Sequence, residues 1–379
     1  MKIAGIICEY NPLHLGHRKQ IDLLKAQGYA VVCLMSGNFV QRGEPAIFDK
    51  TVRAKAAVDV GADLVLELPI PYALSSAEGF AAGGVQILSK LCHELCFGAE
   101  NAEPEPLMAL ARGLLSPEFS QKLRPHLDAG LSFPTARSKA LAEMGLPASL
   151  LDTPNNILAV EYCKAILSQN SPMAVLPIVR DGSYHDEEPD AENPSATALR
   201  NLLKKQQAWQ CFVPEAAIAC FENAPIHSLH AAETAILYRL RTMTEEEFDA
   251  LPYGSEGLWR KLMHACRTCS TLDEIIAATK SKRYTRTRID RMILCAFLEL
   301  TAGDLKSPVP YCRVLAFNDT GRIILNNAKE AGFFVNIGEN TRHPYQDMER
   351  RATSLYGLFA ATPEAPNAEE KYRIYYKKG

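Results

Sequence analysis

The sequence predicts an α/β protein: a parallel sheet with a helical insertion, followed by a mainly helical C-terminal part. Three observations predict it. Short apolar runs alternate with helix-period segments over the first two hundred residues, the pattern turns helical between Glu100 and Met173, and it is largely helical from about Pro214 to Leu300. Strand–helix alternation is the signature of parallel strands joined by right-handed crossovers. A chain of 379 residues exceeds one ordinary core, so two or three domains are expected.

Taken in order, "KIAGIICEY" (2–10), "AVVCLMSG" (30–37), "DLVLELP" (63–69), "ELCFGAE" (94–100) and "MAVLPIVR" (173–180) read as buried strands. Leu15–Gln27, Asp49–Gly61 and Ser75–Leu91 read as the helices between them. An insertion over about 101–170 is helical, with breaks expected at Pro117, Pro125 and Pro134. "SATALRNLLKK" (195–205) reads as a helix with hydroxyls in its first turn. These segments form a domain over 1–210, and 211–379 is expected to be a second domain. Within it, "CRVLAFND", "GRIILNNAK" and "FFVNIG" suggest a small α/β element before the polar, aromatic "YRIYYKKG".

Composition narrows the class. Hydrophobic content of 47% with 22% charged residues fits a folded soluble protein. No apolar run reaches the roughly 18 residues of a membrane helix. The N-terminus reads as a first strand, without a signal-peptide cleavage site, so a cytoplasmic location is expected. Eleven scattered cysteines argue against a disulfide framework. Cys92, His93 and Cys96, and His264, Cys266 and Cys269, lack a second pair at zinc spacing and read as structural thiols, so no metal site is assigned. The net charge of −3 means that any nucleic-acid binding must use a local patch.

Two motifs fall at strand ends, where parallel sheets bind ligands. In "HLGH" (14–17), His14 and His17 share a face of a first helical turn, and Gly16 allows close approach to the backbone. Free N–H groups at a helix start, with two imidazoles added, suit a triphosphate. In "SATALR" (195–200), Ser195 and Thr197 offer hydroxyls and Arg200 reaches the same phosphates from one turn on. His14, His17 and Arg200 are therefore the catalytic candidates, acting by charge stabilisation. An ordinary turn and an ordinary N-cap are the competing readings of each motif taken singly. A third stretch, Ser36-Gly37-Asn38 and Gln41-Arg42-Gly43-Glu44, with Lys50, Arg53 and Lys55 on the next helix, is dense in polar groups and is read as a substrate loop.

Together the first two motifs resemble the HIGH superfamily, which implies a Rossmann-like sheet of the HIGH nucleotidyltransferase type. With "SGNFVQRGEPA", "ADLVLELP", "CFGAE", "PNNILAVEY", "SYHD", "KRYTRTRIDR" and "RVLAFNDTGR" in order over roughly residues 3–322, the sequence is similar to the bacterial tRNA(Met) cytidine acetate ligase family. That resemblance implies a ligase that makes acetyl-adenylate from acetate and ATP. It then acetylates the wobble cytidine of elongator tRNA(Met) to N(4)-acetylcytidine. It implies an ATP site of Ile7, Cys8, Glu9, Tyr10, Asn11, Pro12, Leu13, His14, Leu15, Gly16, His17, Arg18, Lys19 and Gln20, with Gly98, Asn155 or Asn156, and Arg180. Mg2+ is expected with the triphosphate. Four positions depart from the family pattern: Leu15 stands for Asn, Ala159 for Gly, and Asn193-Pro194 for an Ile-Ala pair.

The fourth stretch, "KSKRYTRTRIDR" (280–291), sets six basic residues against Asp290. Lys280, Lys282, Arg283, Arg286, Arg288 and Arg291 are expected to contact tRNA phosphates, with Tyr284 stacking on a base and Arg313 and Arg322 extending the patch. A solvated helix end is the plain alternative. Elongator tRNA(Met) and acetate are thus the expected partners, with no membrane and no obligate protein partner. Two rival functions remain: an adenylyltransferase making a nucleotide cofactor, and a non-catalytic RNA-binding protein on the same scaffold.

Overall fold

A computed structural model of the protein describes residues 1–180, 194–305, 308–309, 311–328, 334–335 and 344–379. "SYHD", Asn193 and most of "FFVNIG" lie outside the described residues.

The N-terminal half runs β1 (Lys2–Cys8), α1 (Leu15–Ala26), β2 (Tyr29–Ser36), the hairpin β3 (Phe39–Val40) and β4 (Glu44–Pro45), α2 (Lys50–Val60), β5 (Leu64–Leu68), α3 (Ile70–Ala73), α4 (Ala77–Leu88) and β6 (Glu94–Ala99). The insertion supplies α5 (Pro104–Leu115), α6 (Pro117–Asp128), α7 (Phe133–Glu143) and α8 (Pro154–Ser168) before β7 (Ala174–Val179) and α9 (Ala196–Lys204). Pro117 and Pro134 start helices, where a missing N–H costs nothing, but Pro125 lies inside α6 instead of breaking it.

The five N-terminal strands are parallel in the order β5-β2-β1-β6-β7. The central strands β1 and β2 are buried almost throughout because helices cover both faces of the sheet. On one face Ile7, Leu34, Leu66 and Leu95 pack with Phe80 and Val85 of α4, Leu110 of α5 and Val160 of α8. On the other, Ile6, Cys33, Met35 and Val65 meet Leu24 of α1, Ala57 of α2 and Leu199 of α9.

The C-terminal half contains α10 (Glu215–Phe221), α11 (Glu233–Thr242), α12 (Glu245–Asp249), α13 (Leu258–Thr268), α14 (Leu272–Thr279), α15 (Arg286–Phe297), β8 (Cys312–Asn318), α16 (Asp319–Asn327), β9 (Phe334–Val335), α17 (Pro344–Tyr356), α18 (Ala368–Lys371) and β10 (Tyr375–Lys377). Its helices share a third core in which Ile236, Leu262, Ile289 and Phe359 surround Phe39, Ile70 and Leu74 of the N-terminal half. The expected small α/β element is not separate. β8 pairs antiparallel with β5, and β10 and β9 pair with β8, so these strands extend the main sheet. No described helix is long and apolar enough to cross a membrane.

Candidate active site

The carboxyl ends of β1, β6 and β7 open into a cavity of about 770 Å³ lined by residues of the first two motifs, the substrate loop and α15. That volume suits a nucleotide with a small co-substrate. After β1 the chain turns sharply: Tyr10 takes a φ of 45° and the Asn11–Pro12 peptide is cis. The turn delivers His14 to the N-cap of α1.

The two histidines form a stacked pair with ring centroids 3.7 Å apart. Each is fixed through Nδ1. The Gly16 N–H donates to His14 Nδ1 at 3.1 Å, and the His14 N–H donates to His17 Nδ1 at 3.3 Å. The first-turn Gly16 amide and the N-cap His14 amide are therefore occupied by imidazoles. With Nδ1 accepting, each neutral ring carries its proton on Nε2. His14 Nε2 is buried without a protein partner. Gly16 lines the cavity and also serves the packing of the pair. A Cβ there would sit 3.0 Å from His14 Cε1, so the glycine makes room for the folded-back ring.

Burial holds His14 down to about 3, and Arg180 and Arg200 push the same way. Burial likewise lowers His17 well below its ordinary value, helped by His14 and Arg180. The pair is thus neutral at physiological pH and offers N–H donors without charge. Cations supply the charge. Arg200 donates to the Asn11 carbonyl at 2.8 Å and to Thr197 Oγ1 at 3.1 Å, and Arg180 donates to Asn155 Oδ1 at 3.1 Å. Ser195 caps α9 by accepting the Ala198 N–H at 3.0 Å.

Asn155 and Asn156 separate cleanly. Asn155 lines the cavity, whereas buried Asn156 accepts the Asn101 N–H at 3.0 Å. Glu100 caps α8 by accepting from the Asn156 N–H at 2.8 Å and from Asn155 Nδ2 at 2.7 Å. Sequence reasoning quoted Glu100 within "CFGAE" but gave it no role. It also missed the apolar wall of Phe80, Phe97, Leu158 and Tyr162, whose helical and strand periodicities read only as core.

Of the sequence-predicted ATP residues, Ile7, Cys8, Glu9, Tyr10, Asn11, His14, Gly16, His17, Lys19, Gln20, Gly98, Asn155, Arg180, Ser195, Thr197 and Arg200 line the cavity. Pro12, Leu13, Leu15, Arg18 and Asn156 do not. Leu13 is core, and Arg18 pairs with Asp22 on the outer face of α1 at 2.6 Å.

The substrate loop divides. Gln41, Arg42 and Glu44 line the cavity; Ser36, Gly37, Asn38 and Gly43 lie behind it. Lys50 and Arg53 are not substrate ligands, because both are buried among oxygens. Arg53 donates to the carbonyls of Phe48 at 2.8 Å, Glu9 at 2.6 Å, Ser36 at 3.1 Å and Gly37. It ties together the ends of β1 and β2. Lys50 pairs with Glu67 at 2.7 Å and Glu369 at 3.0 Å. Arg313 also pairs with Glu67 and Glu369, so it belongs to this interior cluster and does not extend a surface patch. Lys55 pairs with Asp59 at 2.6 Å, away from the cavity.

The basic segment divides too. Lys280, Lys282 and Arg283 are exposed, and Arg286 pairs with Asp290 at 2.8 Å. Arg288 donates to the Tyr253 carbonyl at 2.8 Å. Tyr284 presents no free face, since it is buried with its hydroxyl donating to the Glu256 carbonyl at 2.6 Å. Arg291 is buried at the cavity wall and donates to the Gln41 carbonyl at 3.2 Å. Arg322 pairs with Asp319 on α16. Cys92, Cys96 and Cys266 pack in the cores, and His93 accepts the Ile3 N–H at 3.2 Å.

The arrangement sets two neutral imidazoles between flanking guanidiniums at one cavity. The HIGH Nucleotidyl Transferase family model matches residues 1–371. The tRNA(Met) cytidine acetate ligase of Alkaliphilus metalliredigens is 36% identical over 100% of this chain and 99% of its own. The chain belongs to the tRNA(Met) cytidine acetate ligase family of HIGH nucleotidyltransferases. The ligase of Clostridium acetobutylicum is 35% identical over 94% of this chain and 96% of its own. The crystal structure of Thermotoga maritima TmcAL matches with a TM-score of 0.91 and 28% identity over both full chains. The same protein bound with alpha-thio ATP matches with a TM-score of 0.89. The Thermotoga protein therefore shares this fold over its full length.

Proposed function

We propose that this chain is an ATP-dependent acetate ligase that forms acetyl-adenylate and acetylates the wobble cytidine of elongator tRNA(Met). One observation carries the reading. The cavity holding the His14–His17 pair is closed by α15, whose preceding loop presents exposed Lys280, Lys282 and Arg283. The cavity and an exposed basic segment thus adjoin at α15, which supports a nucleotide site beside an RNA surface. Full-length likeness to the Alkaliphilus ligase supports the same assignment.

In the first step the acetate carboxylate attacks the α-phosphorus and pyrophosphate leaves. Charge develops on the phosphoryl oxygens and the leaving group. The Nε2–H donors of His14 and His17 and the guanidiniums of Arg180 and Arg200 stabilise it. Asn155 positions Arg180, and Thr197 positions Arg200. No protein nucleophile is needed, and burial pushes the Cys8 thiol well above its ordinary range, keeping it protonated. Mg2+ bound to the ATP phosphates would neutralise charge that develops on the leaving pyrophosphate.

Acetate-dependent ATP–pyrophosphate exchange tests this step. His17→Ala removes one donor and is expected to slow exchange by about 10²–10³-fold. tRNA affinity, measured by filter binding, is expected to stay within about twofold of wild type. Equal loss of both would contradict the division between nucleotide and RNA surfaces.

A further inference from the structure

We propose that Glu9 is the general base that accepts the proton of the cytidine amine during acetyl transfer. The assignment rests on the acetate-ligase reading above. It starts from where β1 ends. In the sheet β1 lies between β2 and β6. Gly98 near the end of β6 and Arg180 just after β7 line one side of the cavity, while Gln41, just after β3, accepts from Arg291 of α15 on the other. An acyl group carried by the nucleotide and an amine presented from the α15 side meet between these halves. Glu9 is the first residue beyond the end of β1, and it lines the cavity there.

Elimination points the same way. A base must have a free acceptor position, and the histidines do not: each Nδ1 already accepts a backbone N–H. Two carboxylates line the cavity among the described residues, Glu9 and Glu44. Glu44 has a side chain 46% exposed and lies 4.0 Å from Arg200 Nε, so water and a guanidinium compete with substrate for its oxygens. Glu9 is held at both ends. Its Oε1 accepts the Gln41 N–H at 2.9 Å, and its carbonyl accepts from Arg53 at 2.6 Å. A carboxylate has about four acceptor positions, and that Gln41 bond takes one. Burial raises the Glu9 carboxyl, outweighing the Gln41 N–H and the nearby Arg42, Arg200 and Arg53. A raised carboxyl is a better base near neutral pH.

The step balances. The amine nitrogen attacks the acetyl carbonyl carbon and a C–N bond forms. The C–O bond to the adenylate phosphate breaks, and AMP leaves with its electron pair. The nitrogen's proton passes to the Glu9 carboxylate and then to solvent.

The test measures two rates on the full chain: acetate-dependent ATP–pyrophosphate exchange, and single-turnover acetyl transfer to elongator tRNA(Met). Glu9→Gln keeps an oxygen for the Gln41 N–H but cannot take the proton. It is expected to lower the ratio of transfer to exchange by about 100-fold and to abolish the acid limb of the transfer pH profile. Glu9→Asp is expected to recover part of the ratio. An unchanged ratio, a parallel fall of both rates, or a retained acid limb in Glu9→Gln overturns the assignment. If Glu9→Gln does not fold, Glu9→Asp decides: a shifted acid limb supports the assignment and an unshifted one overturns it. Wild-type protein that makes no acetylcytidine defeats the acetate-ligase reading itself, so the two failures are distinct.

Discussion

At the scale of single residues, the site depends on hydrogen bonds that fix tautomers. Gly16 and His14 offer backbone N–H groups to the two Nδ1 atoms, which sets both Nε2 protons. A pH effect follows. His14 has a folded pKa of about 3, below its unfolded value near 6.5, so the unfolded chain takes up the proton between them. The stability contributed by the neutral ring is present above pH 6.5 and is lost as pH falls toward 3. For His14 the loss from pH 6.5 to 5 is roughly 1.5 kcal/mol. Chemical denaturation of the nucleotide-free protein at these two values is expected to show it, and His14→Gln is expected to show a smaller drop. The presence of His14 and His17 and their common face were legible in H-x-G-H. Their neutrality was not, because it comes from burial beneath residues distant in the chain.

At the scale of elements, two buried contacts decide whether the site assembles. Arg53 joins the ends of β1 and β2 through four carbonyls. Arg53→Met leaves those buried acceptors without a donor and is expected to cost on the order of 3 kcal/mol in denaturation. Lys55→Ala, two residues on, breaks a half-exposed pair with Asp59 and is expected to change stability by under about 0.5 kcal/mol. Gly43 is the second contact. It has a φ of 83°, and a Cβ there would lie 2.4 Å from the Arg291 N. Gly43→Val therefore displaces α15 from the loop, and acetyl transfer is expected to fall further than ATP–pyrophosphate exchange. The sequence placed Lys50 and Arg53 on a helix start but could not show their burial. Their partners, Glu67, Glu369 and the ends of two strands, are set by packing across the sheet.

At the scale of the whole molecule, alternating apolar runs made the five-stranded sheet legible because strands covered on both faces are apolar throughout. The joining of β8 and β10 to the main sheet was not legible, since pairing between strands far apart in the chain leaves no local signal. Composition showed a basic segment, but not that Tyr284 turns inward or that Arg291 reaches the cavity. The exposed remainder carries a prediction of its own. Lys282→Glu with Arg283→Glu is expected to weaken tRNA binding and reduce the slope of log affinity against log salt by about 1–2. An unchanged slope would remove this loop from the RNA surface.

The central claim is that one cavity both activates acetate and hands it to a tRNA. The most direct measurement is mass spectrometry of nucleosides from elongator tRNA(Met) incubated with the purified protein, ATP, Mg2+ and isotope-labelled acetate. The account predicts labelled N(4)-acetylcytidine at the wobble position, dependent on ATP and lost in His17→Ala. Folded protein that binds ATP and this tRNA yet yields no acetylcytidine would contradict it.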